Sequence, residues 1–217
     1  ITRFVDDRTQ MLAAISHDLR TPISRLRLRA EALPQGGERG PMIADLKRLE
    51  QMIAATLDFA RDASAAEARC RIDLASLVES LCQELADLGE DAVYRGPAYL
   101  EFTCRPVAVG RALRNILENA VEYGGNAEAT ILDRGDAIEI AVRDHGPGIP
   151  EGEQDRVFEP FYRLDRARSG SHDGAGLGLS IARNIARAHG GDVTLENRAE
   201  GGCRVTMRLP RPAMGAG

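Results

Sequence analysis

The chain has 217 residues, 43% of them hydrophobic and 28% charged, with a formal net charge of -5. That length buries one good core with a smaller helical unit beside it, and the acidic balance argues against nucleic acid as a partner, since nonspecific affinity for a phosphate backbone needs a basic face. The four cysteines, Cys70, Cys82, Cys104 and Cys203, include no Cys-x-x-Cys pair, which suits reduced thiols better than disulfides or zinc, and no apolar run approaches the roughly 18 residues of a membrane helix.

From Ile1 to Leu33 the pattern is helical, with Val5, Leu12, Leu19, Leu26 and Leu33 at heptad spacing and Ile15 and Ile23 widening the stripe. Pro34 to Pro41, with three glycines between, turns the chain. A second apolar stripe follows in Met42, Leu46, Leu49, Ile53, Leu57 and Ala60. Such a hairpin has too much apolar surface to stand alone, and two hairpins make a four-helix bundle, so a homodimer is expected. Residues 1–62 form this helical unit, 63–71 a linker rich in Ala and charge, and 72–213 a second domain.

In that second domain the spacing predicts helices over Leu74 to Leu88, Pro106 to Tyr123 and Leu177 to His189, the last two stopped by glycine pairs. Extended stretches are expected near Val93, over Tyr99 to Cys104, and as strands over Glu128 to Leu132, Ala137 to Asp144, Asp192 to Asn197 and Arg204 to Leu209. Antiparallel strands with helices on one face make an α+β sandwich. The expected fold is thus an all-α hairpin followed by that sandwich.

Five strings carry chemistry. His17 lies one position off the leucine seam, so its ring points to solvent, where a neutral imidazole is a competent nucleophile and the adjacent Asp18 can orient its tautomer. Pro22 bends the helix beside it by crowding the carbonyl four residues back. Asn115 and Asn119 share one helix face, and an amide oxygen is a suitable hard donor for Mg²⁺. Asp144 ends a strand ahead of Gly146 and Gly148, where a carboxylate in a tight turn can accept the exocyclic amine of adenine. Gly174-Ala-Gly176-Leu177-Gly178 opens a helix, whose free N–H groups hold phosphate oxygens. Its spacing is neither that of a Rossmann loop nor that of a P-loop. Between the glycine strings, Phe158, Phe161 and Tyr162 are expected to hinge a polar stretch, with Arg163, Arg166 and Arg168 available to phosphate. A nucleophile on one segment and a nucleotide pocket on another imply phosphoryl transfer from ATP to protein.

These strings, in this order, resemble the His, N, glycine and Phe boxes of two-component sensor histidine kinases, over about Val5 to Leu209. His-Asp-Leu-Arg-Thr-Pro with the basic run from Ser24 to Arg29 is most similar to the osmosensor-type subfamily. The resemblance implies a Bergerat-fold ATP-binding domain and a cytoplasmic core whose parent protein sits in the bacterial inner membrane, this stretch itself making no membrane contact. It implies His17 as the phosphorylated residue, Asp18 as its acid/base partner and Thr21 as the residue positioning water when the partner is dephosphorylated. It further implies Asn119 on Mg²⁺, Asn115 and Tyr123 along the triphosphate and sugar, Asp144 on adenine, and a response regulator as the acceptor of the phosphoryl group.

One departure stands out: Glu122 occupies the position before Tyr123 where family members carry Lys or Arg, and a carboxylate near a triphosphate costs affinity unless it turns away or cations compensate. His145 is a second departure. The rival readings are a conformational ATPase of the topoisomerase or chaperone type, which would place Glu at the Asn115 position, and a scaffold without catalysis, which only Glu122 favours.

Overall fold

The computed structural model describes residues 22–34, 37–46, 49, 67–164 and 176–211, which fall into two compact units, the second beginning at Glu67. In the first unit the described backbone is helical over 22–31 (α1) and 39–46 (α2). Ile23 and Ala30, two turns apart on α1, pack against Leu46 and Ile43 of α2, which makes the hairpin. Pro41 sits in the first turn of α2, where its missing N–H costs nothing. The seam residues Leu26 and Leu33 stay exposed, with Leu28, Met42 and Leu49. Among the described residues of one chain, then, it is Ile23 and Ala30 rather than the seam residues Leu26 and Leu33 that close the hairpin.

The second unit runs β1 (Cys70–Asp73), α3 (Leu74–Asp87), β2 (Ala92–Tyr94), β3 (Glu101–Cys104), α4 (Pro106–Gly124), β4 (Ala127–Asp133), β5 (Ala137–Arg143), a single 3₁₀ turn (Arg156–Phe158), α5 (Gly178–Ala188), β6 (Asp192–Asn197) and β7 (Cys203–Pro210). Five strands form one sheet in the order β2-β4-β5-β7-β6, and β1 pairs with β3 in a separate antiparallel ribbon. Two points differ from the sequence reading. The sheet is mixed, since β2 runs parallel to β4. Strand β1 takes Cys70 and Arg71 from the stretch read as linker, because they pair with Cys104 and Thr103 far along the chain.

Burial alternates along the strands. Ala127, Ala129 and Ile131 of β4 are buried, whereas Glu128, Thr130 and Leu132 face outward, and β7 repeats the pattern with Cys203, Val205, Met207 and Leu209 inside. This period of two is that of a sheet covered on one face. Helices α3, α4 and α5 lie against the covered face. The core is built from Leu113, Ile116 and Leu117 of α4, Ile185 of α5, Ile138 and Ile140 of β5, and Met207 and Leu209 of β7, all under 2% exposed. Each such side chain contributes about 1.5–3 kcal/mol on burial.

Capping sets where the helices begin. Asp73 caps α3 by accepting from Ala75 N–H at 3.1 Å, and α4 starts on Pro106 and ends at Gly125 in the left-handed region, φ 74°. No helix among the described residues is long and apolar enough to cross a membrane.

Candidate nucleotide-binding site

Helix α4 buries one stripe, Val109, Ala112, Leu113, Ile116, Leu117 and Ala120, and so turns another toward the loops beyond the sheet. That second stripe carries Asn115, Asn119, Glu122 and Tyr123, spaced so that they follow one another along a single helix side. Asn115 and Asn119 are both half-buried. The Asn115 side chain lies against the start of α5: a Cβ placed on Gly178 would come within 3.6 Å of Asn115 Cβ and 3.7 Å of its Oδ1. Its Nδ2 is a buried donor without a partner among the described residues. Leaving such a donor unpaired costs about 1–3 kcal/mol, so it calls for an acceptor.

Helix α5 supplies more donors. Its N-cap residue, Leu177, is 4% exposed and offers no side-chain acceptor, so among the described residues the first-turn amides have no side-chain cap. Gly176, just ahead, has φ +70°, and a Cβ there would come within 2.9 Å of Tyr162 O. The Gly176 carbonyl accepts from Phe161 N–H at 2.8 Å, joining the two ends of the stretch 162–175. Phe161 pays for that closure with φ 67°, a strained angle for an aromatic residue.

Asp144 stands at the end of β5, 7% exposed. Its Oδ1 accepts two amides, Gly146 N–H at 2.8 Å and Cys203 N–H at 3.0 Å, and its carbonyl accepts from Arg198 Nη1 at 2.7 Å. The carboxyl is therefore fixed through one oxygen, Oδ1. Close backbone contact brings this turn onto the end of α4. A Cβ on Gly124 would fall 2.3 Å from Asp144 Cβ, and one on Gly146 would fall 2.8 Å from Tyr123 O. Glycine is needed at both places because nothing larger fits. Gly148, φ +76°, is followed by Ile149, whose N–H and carbonyl are both bound by the Asn197 amide, at 2.8 and 2.7 Å.

Tyr123 is half-exposed at 47%. Burial pushes its phenol above the ordinary value, the charge and hydrogen bond of Glu122 add to the shift, and the Arg163 guanidinium, also hydrogen-bonded to it, opposes. Arg163 and Glu122 thus both meet the Tyr123 side chain near the end of α4. Glu122 itself has one buried oxygen, Oε1, without a partner among the described residues.

The second unit therefore brings together Asn115, Asn119, Tyr123, Asp144, Gly146, Arg163, Gly176, Leu177 and Gly178, while Gly148 lies against Asn197. His17, Asp18, Thr21 and Gly174 lie outside the described residues, as do Arg166 and Arg168. Of the three aromatics, Phe158 is core at 8% exposure under the Arg183 guanidinium, while Tyr162 donates to Glu153 and lies under Arg156. Sequence reading missed Asn126, whose Oδ1 accepts His145 N–H at 3.0 Å and meets its ring nitrogen at 2.9 Å. It also missed Arg198 and the Cys203 amide on Asp144. The Gly201-Gly202 pair was the available signal for these, since a Cβ on Gly202 would fall 2.1 Å from Asp144 O.

Residues fit for a nucleotide are all present: an uncapped helix start and an orphan amide donor for phosphate, an amide oxygen at Asn119 for a hard cation, and an anchored carboxylate for a base. Comparison with known proteins agrees. Residues 104–213 match the family model of the histidine kinase-, DNA gyrase B-, and HSP90-like ATPases, and residues 7–65 match that of the His Kinase A (phospho-acceptor) domain. The chain belongs to this ATPase family. With its phosphoacceptor region it is a two-component histidine kinase catalytic core.

Among its relatives is the sensor histidine kinase GtrS of Pseudomonas aeruginosa, 42% identical over 97% of this chain and 44% of that protein. The sensor-type histidine kinase PrrB of Mycobacterium tuberculosis is 31% identical over 93% of this chain and 47% of that protein. The chain thus spans under half the length of these two relatives. The crystal structure of the ATP-binding domain of PrrB from M. tuberculosis superposes with a TM-score of 0.56 at 29% identity, covering 67% of this chain and 98% of that one.

Proposed function

We propose that this chain is an ATP-dependent protein-histidine kinase core that phosphorylates its own His17 and passes the group to an aspartate of a response regulator. The observation that carries the reading is the convergence of Asp144, orphaned Asn115 Nδ2 and the uncapped start of α5 within one unit, on a chain that also matches the phosphoacceptor family. Mg²⁺-ATP supplies the γ-phosphoryl group and neutralises charge on it. Asp144 holds the adenine amine, Asn115 and the α5 amides take phosphate oxygens, and Asn119 is the metal ligand. Tyr123 lines the sugar and phosphate side, and Arg163 offsets negative charge there.

At the acceptor, a neutral His17 nitrogen attacks in line while Asp18 holds the ring in the tautomer that exposes it. Thr21 positions water in the reverse, dephosphorylating step. Positioning and electrostatics do the rest, since phosphoryl transfer asks little covalent work of the protein. The exposed leucines and methionine of the hairpin are the surface a second copy covers, giving a homodimer with a four-helix bundle. The helical unit is 1–62, joined by a short linker to an ATP-binding domain that begins at Glu67 and runs to 213, and the parent protein is anchored in the inner membrane with this core in the cytoplasm.

Incubating the chain with γ-labelled ATP and then adding purified receiver domains tests the whole sequence of steps. Label should appear first on the chain and then pass to one receiver. Label that never leaves the chain in the presence of every receiver of its source would refute the transfer.

A further inference from the structure

The segment leading into the second unit is fastened by residues that take no part in the nucleotide site. The Glu67 carboxylate accepts Val107 N–H at 2.7 Å and Ala108 N–H at 3.1 Å, capping α4 where the N-cap residue Arg105 offers no side chain. Asp73 accepts Leu100 N–H at 3.0 Å. Between these two, β1 runs antiparallel to β3, and in that ladder Cys70 stands directly opposite Cys104.

Residues opposed in this way have Cα atoms about 4.5–5.5 Å apart and side chains on the same face. A disulfide accepts Cα separations of about 4.4–6.8 Å, so an S–S bond can close here without moving either strand. Both cysteines are free thiols, and they differ in access: Cys70 is exposed and Cys104 is 0% exposed. Burial pushes the Cys104 thiol up to about 11, and a negative charge on Cys70 is the next cause, which agrees with their proximity.

We propose that Cys70 and Cys104 form a redox-responsive dithiol at the entrance to the ATP-binding unit, oxidised by a hydroperoxide to an intramolecular disulfide. Cys70, the accessible sulfur, attacks the peroxide oxygen as thiolate and becomes a sulfenic acid, releasing an alcohol or water. Cys104 then attacks the Cys70 sulfur, the S–O bond breaks, and its oxygen leaves as water. Two thiols and one peroxide thus give one disulfide, one water and one alcohol or second water. The bond ties position 70 to position 104, next to the start of α4. Glu67, three residues upstream of Cys70, then caps that helix on a tether that cannot drift. The inference is independent of the phosphotransfer reading.

The test is mass spectrometry of the full chain treated with hydrogen peroxide and digested without reductant. The expected product is the Cys70 peptide joined to the Cys104 peptide, two hydrogens lighter than the reduced pair, reversed by dithiothreitol and lost in Cys70→Ser, with Cys82 and Cys203 still thiols. Cys70 as sulfinate, or Cys70 linked between two chains, with Cys104 unmodified, would overturn the proposal. Amide exchange at Val107 and Ala108 should slow about tenfold in the oxidised chain. Equal exchange would overturn the coupling to α4.

Discussion

Asp144 is held by one oxygen, and the proposed function has it act through the other. Asparagine at this position keeps an Oδ1 for the Gly146 and Cys203 amides but loses the charge that strengthens a hydrogen bond to an incoming amine. Asp144→Asn should therefore melt near the wild-type temperature and bind ATP about thirtyfold more weakly, a loss of about 2 kcal/mol. Calorimetric titration with ATP checks the affinity. Glu122 is expected to work the other way: its side chain is hydrogen-bonded to Tyr123, as Arg163 is, and a carboxylate there would repel a triphosphate. Glu122→Lys should tighten ATP binding by the same titration, and equal or weaker binding would remove the idea. His189 gives a pH signature. It is 5% exposed, its Nδ1 donates to Ile185 O at 2.8 Å, and its Nε2 accepts Arg105 N–H at 3.2 Å, an acceptor that protonation destroys. Burial is the main cause holding it below the ordinary imidazole value; the Ile185 bond opposes, Arg105 and Arg69 assist, and Glu67 opposes. A group depressed on folding binds more protons when unfolded, so its contribution to stability is full above about pH 6.5 and is lost as pH falls toward its folded value. Denaturant titrations on either side of that pH should show a steeper acid loss in the wild type than in His189→Gln.

At the scale of elements, α4 is the spine of the site, and a residue far upstream begins it. Glu67→Ala removes two acceptors from its first turn, at an expected cost of about 1 kcal/mol in denaturant titration, with faster amide exchange confined to Val107 and Ala108. The same helix separates what the sequence reveals from what it hides. Asn115, Asn119, the Asp144 turn and the glycine string before α5 are legible because each is a local string whose residue types are unusual for a plain helix or turn. The burial alternation of β4 and β7 is legible because period two survives in the letters. The Cys203 amide on Asp144 is not legible, since it joins residues 59 apart through a backbone group that any amino acid carries. Nor is the Glu67 cap, 41 residues from Ala108. Strand β1 escapes because Cys-Arg-Ile-Asp holds a single strong strand former and is defined only by its partner β3. The parallel pairing of β2 escapes for a related reason: three residues at a sheet edge carry too little pattern to report direction.

At the scale of the whole molecule, the chain joins an apolar hairpin to a sandwich that holds a nucleotide, and phosphotransfer needs both. The exposed Leu26, Leu33 and Met42 on the hairpin and the nucleotide donors on the sandwich are separate expenditures of surface, each explained once the hairpin is an acceptor and the sandwich a donor of phosphate. The most direct measurement is autophosphorylation with γ-labelled Mg²⁺-ATP, comparing the wild type with His17→Gln. The account predicts a label that is stable in alkali, lost in acid and absent from the variant. A label that persists in His17→Gln, or one that survives acid, would contradict it.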